Sequence, residues 1–400
     1  MKSQKANTIL TRVTIYVVLT FFALVMLFPF FYMLFTSFKL PKDTFRYPPR
    51  LLPRDPVTVE VPGYGPQERV LYNIEYEGET REFALVEENI RVGLFADPNA
   101  LNVTYEVALE DAVETGESVT VGGEVYPLYE VPLDDETVVF ALVDRTARGR
   151  FVNPENLDEQ ALANVRLSQP VEHLSWHPSN YADVMALQGM DRSLTNTALV
   201  TALVVLGQIS TSVLGGYAFA RLRFPGRDQL FLIYLGTIMI PFVVLIIPLY
   251  QIMVTLGWVD TLTSLVVPWI FTAYGTFMMR QFLVSIPKEI EEAALIDGAS
   301  RLQILSKIFL PAITPALATQ TTITFLYAWN SFVWPLIVIN TGNYNNHVLT
   351  LSLNILRGRA SDSPNLILAG AAIAILPPLI VFILAQRYYI ESVASSAVKG

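Results

Sequence analysis

Residues 291–317 read EEAALIDGASRLQILSKIFLPAITPAL. Glu291 to Leu295 are good helix formers, and Gly298 is a natural stop or bend. From Arg301 onward apolar residues return at helical spacing, at Leu302, Ile304, Leu305, Ile308 and Phe309. Pro311 then falls where a new helix would begin, the position at which a missing N–H costs least. The product is a polar helix–turn–helix, and it lies between two long uncharged segments. In a membrane protein such a connection is where the spans can be pushed by something outside the bilayer.

The surrounding composition makes this a membrane protein. Of 400 residues, 52% are hydrophobic and 16% charged, where about 25% charged is usual for a soluble domain. Apolar runs longer than about 18 residues mark spanning helices. Six are legible, at 13–37, 194–220, 230–256, 262–279, 311–339 and 366–385. The first is too long for a signal peptide and lacks a small-x-small cleavage site. Pro241, Pro248, Pro268, Pro335, Pro377 and Pro378 inside these runs predict kinks, which a helix bundle tolerates when neighbours satisfy the freed carbonyls. With no cysteine, disulfides and thiolate metal sites are excluded.

Basic residues set the orientation. Lys2, Lys5 and Arg12 precede the first run, and Arg221, Arg223 and Arg227 lie between the second and third. Arg280, Lys288, Arg301 and Lys307 lie between the fourth and fifth, and Arg387 and Lys399 follow the sixth. These segments share one side, so both termini and the 291–311 loop are expected in the cytoplasm. Arg357 and Arg359 dissent but are fewer than the four in the loop opposite.

Between the first two spans lies a segment of another character. Residues 56–170 carry 23 acidic and 7 basic residues, a net of −16, while the rest of the chain is net +7. An acidic block in a basic membrane protein reads as a separate domain, and its sign excludes nucleic acid as a partner. Residues 71–76 and 83–86 read as a hairpin turning at 77–79. That pattern recurs. LYNIEYEGETREFALVE at 71–87 matches LYEVPLDDETVVFALVD at 128–144 without gaps, with eight of 17 positions identical. GLFADP at 93–98 parallels GRFVNP at 149–154 after one gap. This is the signature of a duplicated β-unit of about 57 residues. One unit alone could hardly bury its apolar face, so the two copies are expected to form one small domain. The chain therefore divides into 1–39 (N-terminus and first helix), 40–182 (acidic β-rich insert, expected outside the membrane) and 183–400 (five helices with the loop 286–312). The fold class is mainly α, polytopic, with a β-rich insert built from a duplicated hairpin.

Glu292-Ala293-Ala294, three residues, Gly298, nine residues and Ile308-x-Leu310-Pro311 together resemble the EAA loop of bacterial ABC importer permeases. Beyond it, Pro29–Met33 with Thr36–Lys39, Gly216–Arg221 with Phe224–Arg227, and Trp329–Leu336 look like helices of the maltose-type, MalG-like branch. The terminal Ala397, Val398, Lys399 and Gly400 match the tail by which such permeases reach toward their ATPase. The insert departs from the pattern, as the family usually has only a short segment there.

The resemblance implies a permease subunit of a carbohydrate importer in a prokaryotic cell membrane. Its partners would be a second permease subunit, an ATPase dimer, an extracytoplasmic sugar-binding protein and membrane lipid. ATPase docking would fall to Glu292, Ala293, Ala294, Asp297, Gly298, Ala299, Ile308, Leu310 and Pro311. ATP and magnesium would be bound by the partner, and the chain itself needs no cofactor or metal.

A candidate substrate path is Tyr327, Trp329, Asn330 and Trp334: Asn330 would offer a hydrogen bond inside an apolar span, and the rings would stack on a sugar. The bland alternative makes Asn330 a helix–helix contact and the tryptophans interfacial anchors. Enzyme chemistry has little support, since no G-x-x-x-x-G-K-[ST] occurs. His173 and His177 sit at i,i+4, but Pro178 favours a loop over the helix that a metal pair would want. An ion-coupled carrier or channel predicts charged groups inside the spans, and these runs contain none. A membrane-anchored sensor would use the β-insert and would not need six spans.

Overall fold

The computed structural model describes residues 2–133, 136–187 and 189–397. It divides into two compact units, Met1–Leu51 with His177–Gly400, and Leu52–Trp176. The first is helical and the second is built from strands.

In the helical unit, three helices are long and apolar enough to cross a membrane: Leu10–Thr36, Met190–Arg221 and Pro364–Gln386. Two more stretches qualify as bent pairs. Arg227–Met239 and Phe242–Leu256 meet at 101°, and Arg301–Ala312 and Thr314–Val338 at 81°. Among the described residues this gives up to five spans by length and composition, against six expected from the sequence. The missing one is 262–279. It breaks into a helical turn at Thr263–Val266, a 3₁₀ turn at Val267–Trp269 and the 13-residue helix Ala273–Ser285. Pro268 removes one backbone donor, and Thr272 turns extended to cap the new helix through the Gly275 N–H.

Prolines also place the two bends. Ile240, before Pro241, is extended, as a residue preceding proline prefers. Pro315 has no N–H for the Pro311 carbonyl, and the Thr314 hydroxyl takes that acceptor at 2.8 Å. Pro311 therefore lies in the short turn Leu310–Ala312, and the long helix starts at Thr314, not at Pro311 as the sequence suggested. That helix ends at Trp329, and a separate one runs Val333–Val338. Pro335 would clash with the carbonyl of Ser331 in a continuous helix. Asn330 is thus an exposed helix cap at a break within the Thr314–Val338 stretch, not a residue of a continuous helix.

Small residues let the helices approach closely. A Cβ on Gly216 would lie 2.6 Å from the Met279 Cβ, and one on Gly275 would lie 2.3 Å from the Ser212 hydroxyl. Side chains of the Leu10–Thr36 helix are exposed along most of its length, as lipid or partner contact requires.

Among the described residues the second unit has eleven strands: β1 (Arg54–Pro56), β2 (Thr58–Glu60), β3 (Glu68–Tyr76), β4 (Glu79–Ala96), β5 (Thr104–Ala108), β6 (Val113–Val121), β7 (Glu124–Leu133), β8 (Glu136–Val152), β9 (Gln160–Ala163), β10 (Gln169–Pro170) and β11 (Glu172–Leu174). β1 pairs with β11, and the rest form one sheet in the order β10-β3-β4-β8-β7-β6, with β2 on β3, β5 on β4 and β9 on β8. Glu77 and Gly78, both at positive φ, make the β3–β4 turn, as a tight hairpin requires.

Pairing repeats along the chain. Leu71 faces Ala84 in the first hairpin, and Leu128 faces Ala141 in the second, 57 residues on. Gly93 faces Val107 on β5, and Gly149 faces Ala163 on β9, 56 residues on. The two central strands pair with each other in the same sense: Leu85 faces Phe151, and Phe95 faces Leu142. Two apolar clusters result. One holds Ile74, Phe83, Leu85 and Phe151 with Tyr72; the other holds Val131, Leu142, Phe95 and Tyr129 with Phe140. Tyr72 meets Phe151 edge-on at 5.4 Å, and Tyr129 meets Phe95 at 5.5 Å. Gly93 and Gly149 are small for the same reason, since a Cβ on either would sit 2.5 Å from a neighbouring side chain. Asp97 and Asn153 each accept the N–H two residues on, so the loops after β4 and β8 begin alike.

Candidate coupling site

Residues 288–309 form the helix–turn–helix that their composition dictates. The first helix, Lys288–Ile296, carries Glu289 and Glu291 in its first turn, where carboxylates favour the helix dipole. It stops at Gly298, whose φ of +80° is left-handed. The Ala299 N–H reaches the Ala294 carbonyl and the Gly298 N–H the Leu295 carbonyl, a Schellman closure. Ser300 then opens Arg301–Ile304 with a full capping box, its hydroxyl accepting from Gln303 N–H and the Gln303 side chain accepting from Ser300 N–H. The S-x-x-Q spacing was the available signal in the sequence. Leu305–Phe309 continues as a π-helical turn.

The Lys288–Ile296 helix has two faces. Ala294 packs with Ile304, Leu305 and Phe309 against Val213, Tyr217, Met279 and Leu283, and Glu291 is buried beside them. On the other side Ile290, Glu292, Ala293, Leu295, Ile296, Asp297 and, beyond the turn, Leu302 are exposed. Ile296 is 87% exposed and Leu302 69%, an unusual cost for side chains worth about 1.5–3 kcal/mol each when buried. Of the remaining motif residues, Ile308, Leu310 and Ala299 are half-buried and Pro311 exposed.

Glu291 holds the inner face through charge. Its carboxylate pairs with Arg221 at 3.5 Å and with Arg301. Arg221 is the last residue of the Met190–Arg221 helix, and its side chain is 4% exposed. It also donates to the carbonyls of Leu283 and Ile286 and lies 5.0 Å over the Phe309 ring. Neither Arg221 nor Glu291 was singled out for this role from the sequence. Beside them Arg223, Arg227, Lys288, Glu292 and Leu295 line an open cleft.

At the opposite end of the same helix, an ordered loop is tied down. Asn196 donates to the carbonyls of Asn345 and His347, both at 2.8 Å, and the Thr197 hydroxyl accepts the Leu349 N–H at 2.7 Å. Asp260 receives the Asn340 N–H and the Asn343 amide.

The candidate path residues come together only in part. Tyr327, Trp329 and Trp334 line one cavity with Trp269, Thr197 and Val348. Its volume is about 20 Å³, room for about one water rather than a sugar ring. Trp329 and Trp334 are buried, and their indole N–H groups donate to the carbonyls of Ala374 and Ser264. The Asn330 amide donates to its own helix at Leu326. A polar seam went unread in the sequence: Gln320 donates to Ser212, Thr324 to Gln208, and Gln208 to the Trp269 carbonyl. Its signal was the i,i+4 spacing of 208/212 and 320/324 within apolar runs. Ala397 closes the last helix, and Val398, Lys399 and Gly400 lie outside the described residues.

Apolar helices carry a polar hairpin with one anchored and one open face, the form of a membrane component that meets a partner. Residues 211–394 match the family described as the binding-protein-dependent transport system inner membrane component. Over 205 residues the chain is 36% identical to the arabinooligosaccharides transport system permease protein AraQ of Halalkalibacterium halodurans, covering 51% of this chain and 73% of the relative. Over 234 residues it is 33% identical to the sn-glycerol-3-phosphate transport system permease protein UgpE of Agrobacterium fabrum, covering 57% and 82%. A solved chain of a bacterial ABC transporter importing the acidic polysaccharide alginate is 26% identical with a TM-score of 0.48, over 55% of this chain and 81% of that one. The chain belongs to the family of binding-protein-dependent transport system inner membrane components.

Proposed function

We propose that this chain is one of two permease subunits of an ATP-driven importer for a carbohydrate or related polyol, delivered by an extracytoplasmic binding protein. The observation that carries it is the two-faced Lys288–Ile296 helix, bonded inward through Ala294 and Glu291 while Ile290, Ala293 and Ile296 stay open. Such a face suits insertion into an ATPase dimer, which binds the ATP and magnesium and does the hydrolysis. The docking set is Glu292, Ala293, Asp297, Gly298, Ala299, Ile308, Leu310 and Pro311; Ala294, expected in that set, packs inward and supports it instead, and the tail 397–400 is proposed to reach toward the ATPase as well. The named relatives handle an arabinooligosaccharide and a glycerol phosphate, so a hydroxyl-rich cargo is supported and its identity is open to assay. Tyr327, Trp329, Asn330 and Trp334 line the path in another conformation, the present cavity being closed.

In this reading the chain crosses a prokaryotic cell membrane six times, the Ala273–Ser285 helix and the segments before it completing the fourth crossing. Both termini are cytoplasmic, and the 40–182 insert is outside. The insert is a tandem duplication with an exchanged strand. Support comes from the repeated register, the two matching clusters and the paired glycines. β6 follows the first copy yet pairs with β7 of the second, and β10 follows the second yet pairs with β3 of the first. Placed between two spans, the insert reaches toward the binding protein. Co-purification with an ATPase subunit and ATP-dependent sugar uptake in proteoliposomes test the function. Unchanged uptake at limiting substrate after deletion of residues 60–165 would remove the insert from binding-protein contact.

A further inference from the structure

The Glu291 carboxylate is buried between two guanidinium groups from different elements, Arg221 ending the Met190–Arg221 helix and Arg301 opening the Arg301–Ile304 helix. Arg221 in turn holds the Leu283 and Ile286 carbonyls at the end of the Ala273–Ser285 helix. A buried ion pair stabilises little against an apolar replacement, and its best-attested use is to fix register. Here it fixes four elements at one point.

The Met190–Arg221 helix is unbroken for 32 residues, about 48 Å. Its far end carries Asn196, Thr197 and Ser193, which hold the 345–352 segment through Asn345, His347, Leu349 and Ser352. One continuous helix therefore joins the ionic cluster to the 345–352 segment. The stretches 227–256 and 301–338 are bent by 101° and 81°, and a bent pair absorbs a push by changing its angle; Leu10–Thr36 and Pro364–Gln386 are also unbroken, but the groups that Glu291 and Arg221 engage belong to neither.

We propose that Glu291 is the positioning residue of the coupling loop. With Arg221 and Arg301 it makes the docking helix and the Met190–Arg221 helix move as one body, so that displacement at the ATPase reaches the 340–352 loop. This inference rests on the importer reading above. It assigns Glu291 no contact with the ATPase, since its side chain faces inward.

The test uses the complete transporter, with its ATPase and binding protein, in proteoliposomes. Glu291→Gln keeps the shape and removes the charge. The expected result is an assembled complex with basal ATP hydrolysis within about twofold of wild type. Stimulation by sugar-loaded binding protein falls at least about fivefold and uptake about tenfold, because hydrolysis and the outer loop no longer communicate. Wild-type stimulation and uptake in E291Q overturn the inference.

A second arm leaves Glu291 intact, in case E291Q does not assemble. Spin labels at Lys288→Cys and Arg223→Cys, both on the cleft beside the cluster, report the distance between the docking helix and the end of the long helix. One body predicts the same distance with and without ATP, and a change of several ångströms overturns the inference. If wild-type chain binds no ATPase and transports without ATP, the importer reading fails and takes this inference with it. A change confined to E291Q or to the label distance judges the inference alone.

Discussion

Gly298 sits where side chains are least tolerated. Its φ of +80° closes the Lys288–Ile296 helix, and an alanine there costs roughly 1–2 kcal/mol of left-handed strain. Gly298→Ala is expected to lower the share of ATPase that co-purifies, while Gly298→Asn, which visits that region more easily, keeps more of it. Gly93 and Gly149 act through space instead. A Cβ on either meets a ring or methyl at 2.5 Å, and overpacking of that kind costs about 1–3 kcal/mol. Denaturant titration of the Leu52–Trp176 segment should show similar losses for Gly93→Ala and Gly149→Ala, because an added Cβ meets a side chain at the same distance at both sites. Gly298 was legible from the motif around it. Glu291 was not, because a carboxylate among four charged residues on a short helix reads as solvated until the fold brings Arg221 to it.

Short elements here depend on side-chain hydrogen bonds more than on length. The loop leading from β8 into β9 is closed by Glu159, which accepts from the amides of Asn153 and Asn156 and lies 3.6 Å from Arg81. These partners, Asn153 foremost, hold the Glu159 carboxyl below its usual range. A depressed carboxylate adds stability above the unfolded value, about pH 4.3, and loses it as pH falls through the lower folded value. Thermal melts of the Leu52–Trp176 segment should therefore separate wild type from Glu159→Gln at pH 7 and bring them together near pH 3. Strand and helix identity was largely readable at this scale, since alternation and apolar length are local. Helix continuity was not. The runs 230–256, 262–279 and 311–339 are uncharged throughout, and only backbone geometry at Pro241, Pro268, Pro315 and Pro335 decides that each is interrupted.

Across the molecule, the family match covers 211–394 and none of Leu52–Trp176, so the two units have separate physical logics. The strand unit should fold alone: residues 52–176 in isolation are expected to melt cooperatively with β-type circular dichroism. Residues 56–116, one copy, should not, because β3 would lack β10 and the Phe83 cluster would lack Phe151. A stable fold from 56–116 would argue against strand exchange. The repeated letters were visible in the sequence, whereas the pairing of β10 with β3 was not, since pairing between distant strands leaves no local pattern. That long-range pairing also bears on how the chain is made. A ribosome delivers β3 and β4 long before β10, so the edge of β3 that takes β10 is left with its backbone groups unpaired until then, an invitation to wrong pairing. The nascent chain therefore needs either rapid completion of its second half or a factor that holds this edge. A pause in translation between residues 100 and 165 should harm yield more than one placed after residue 176.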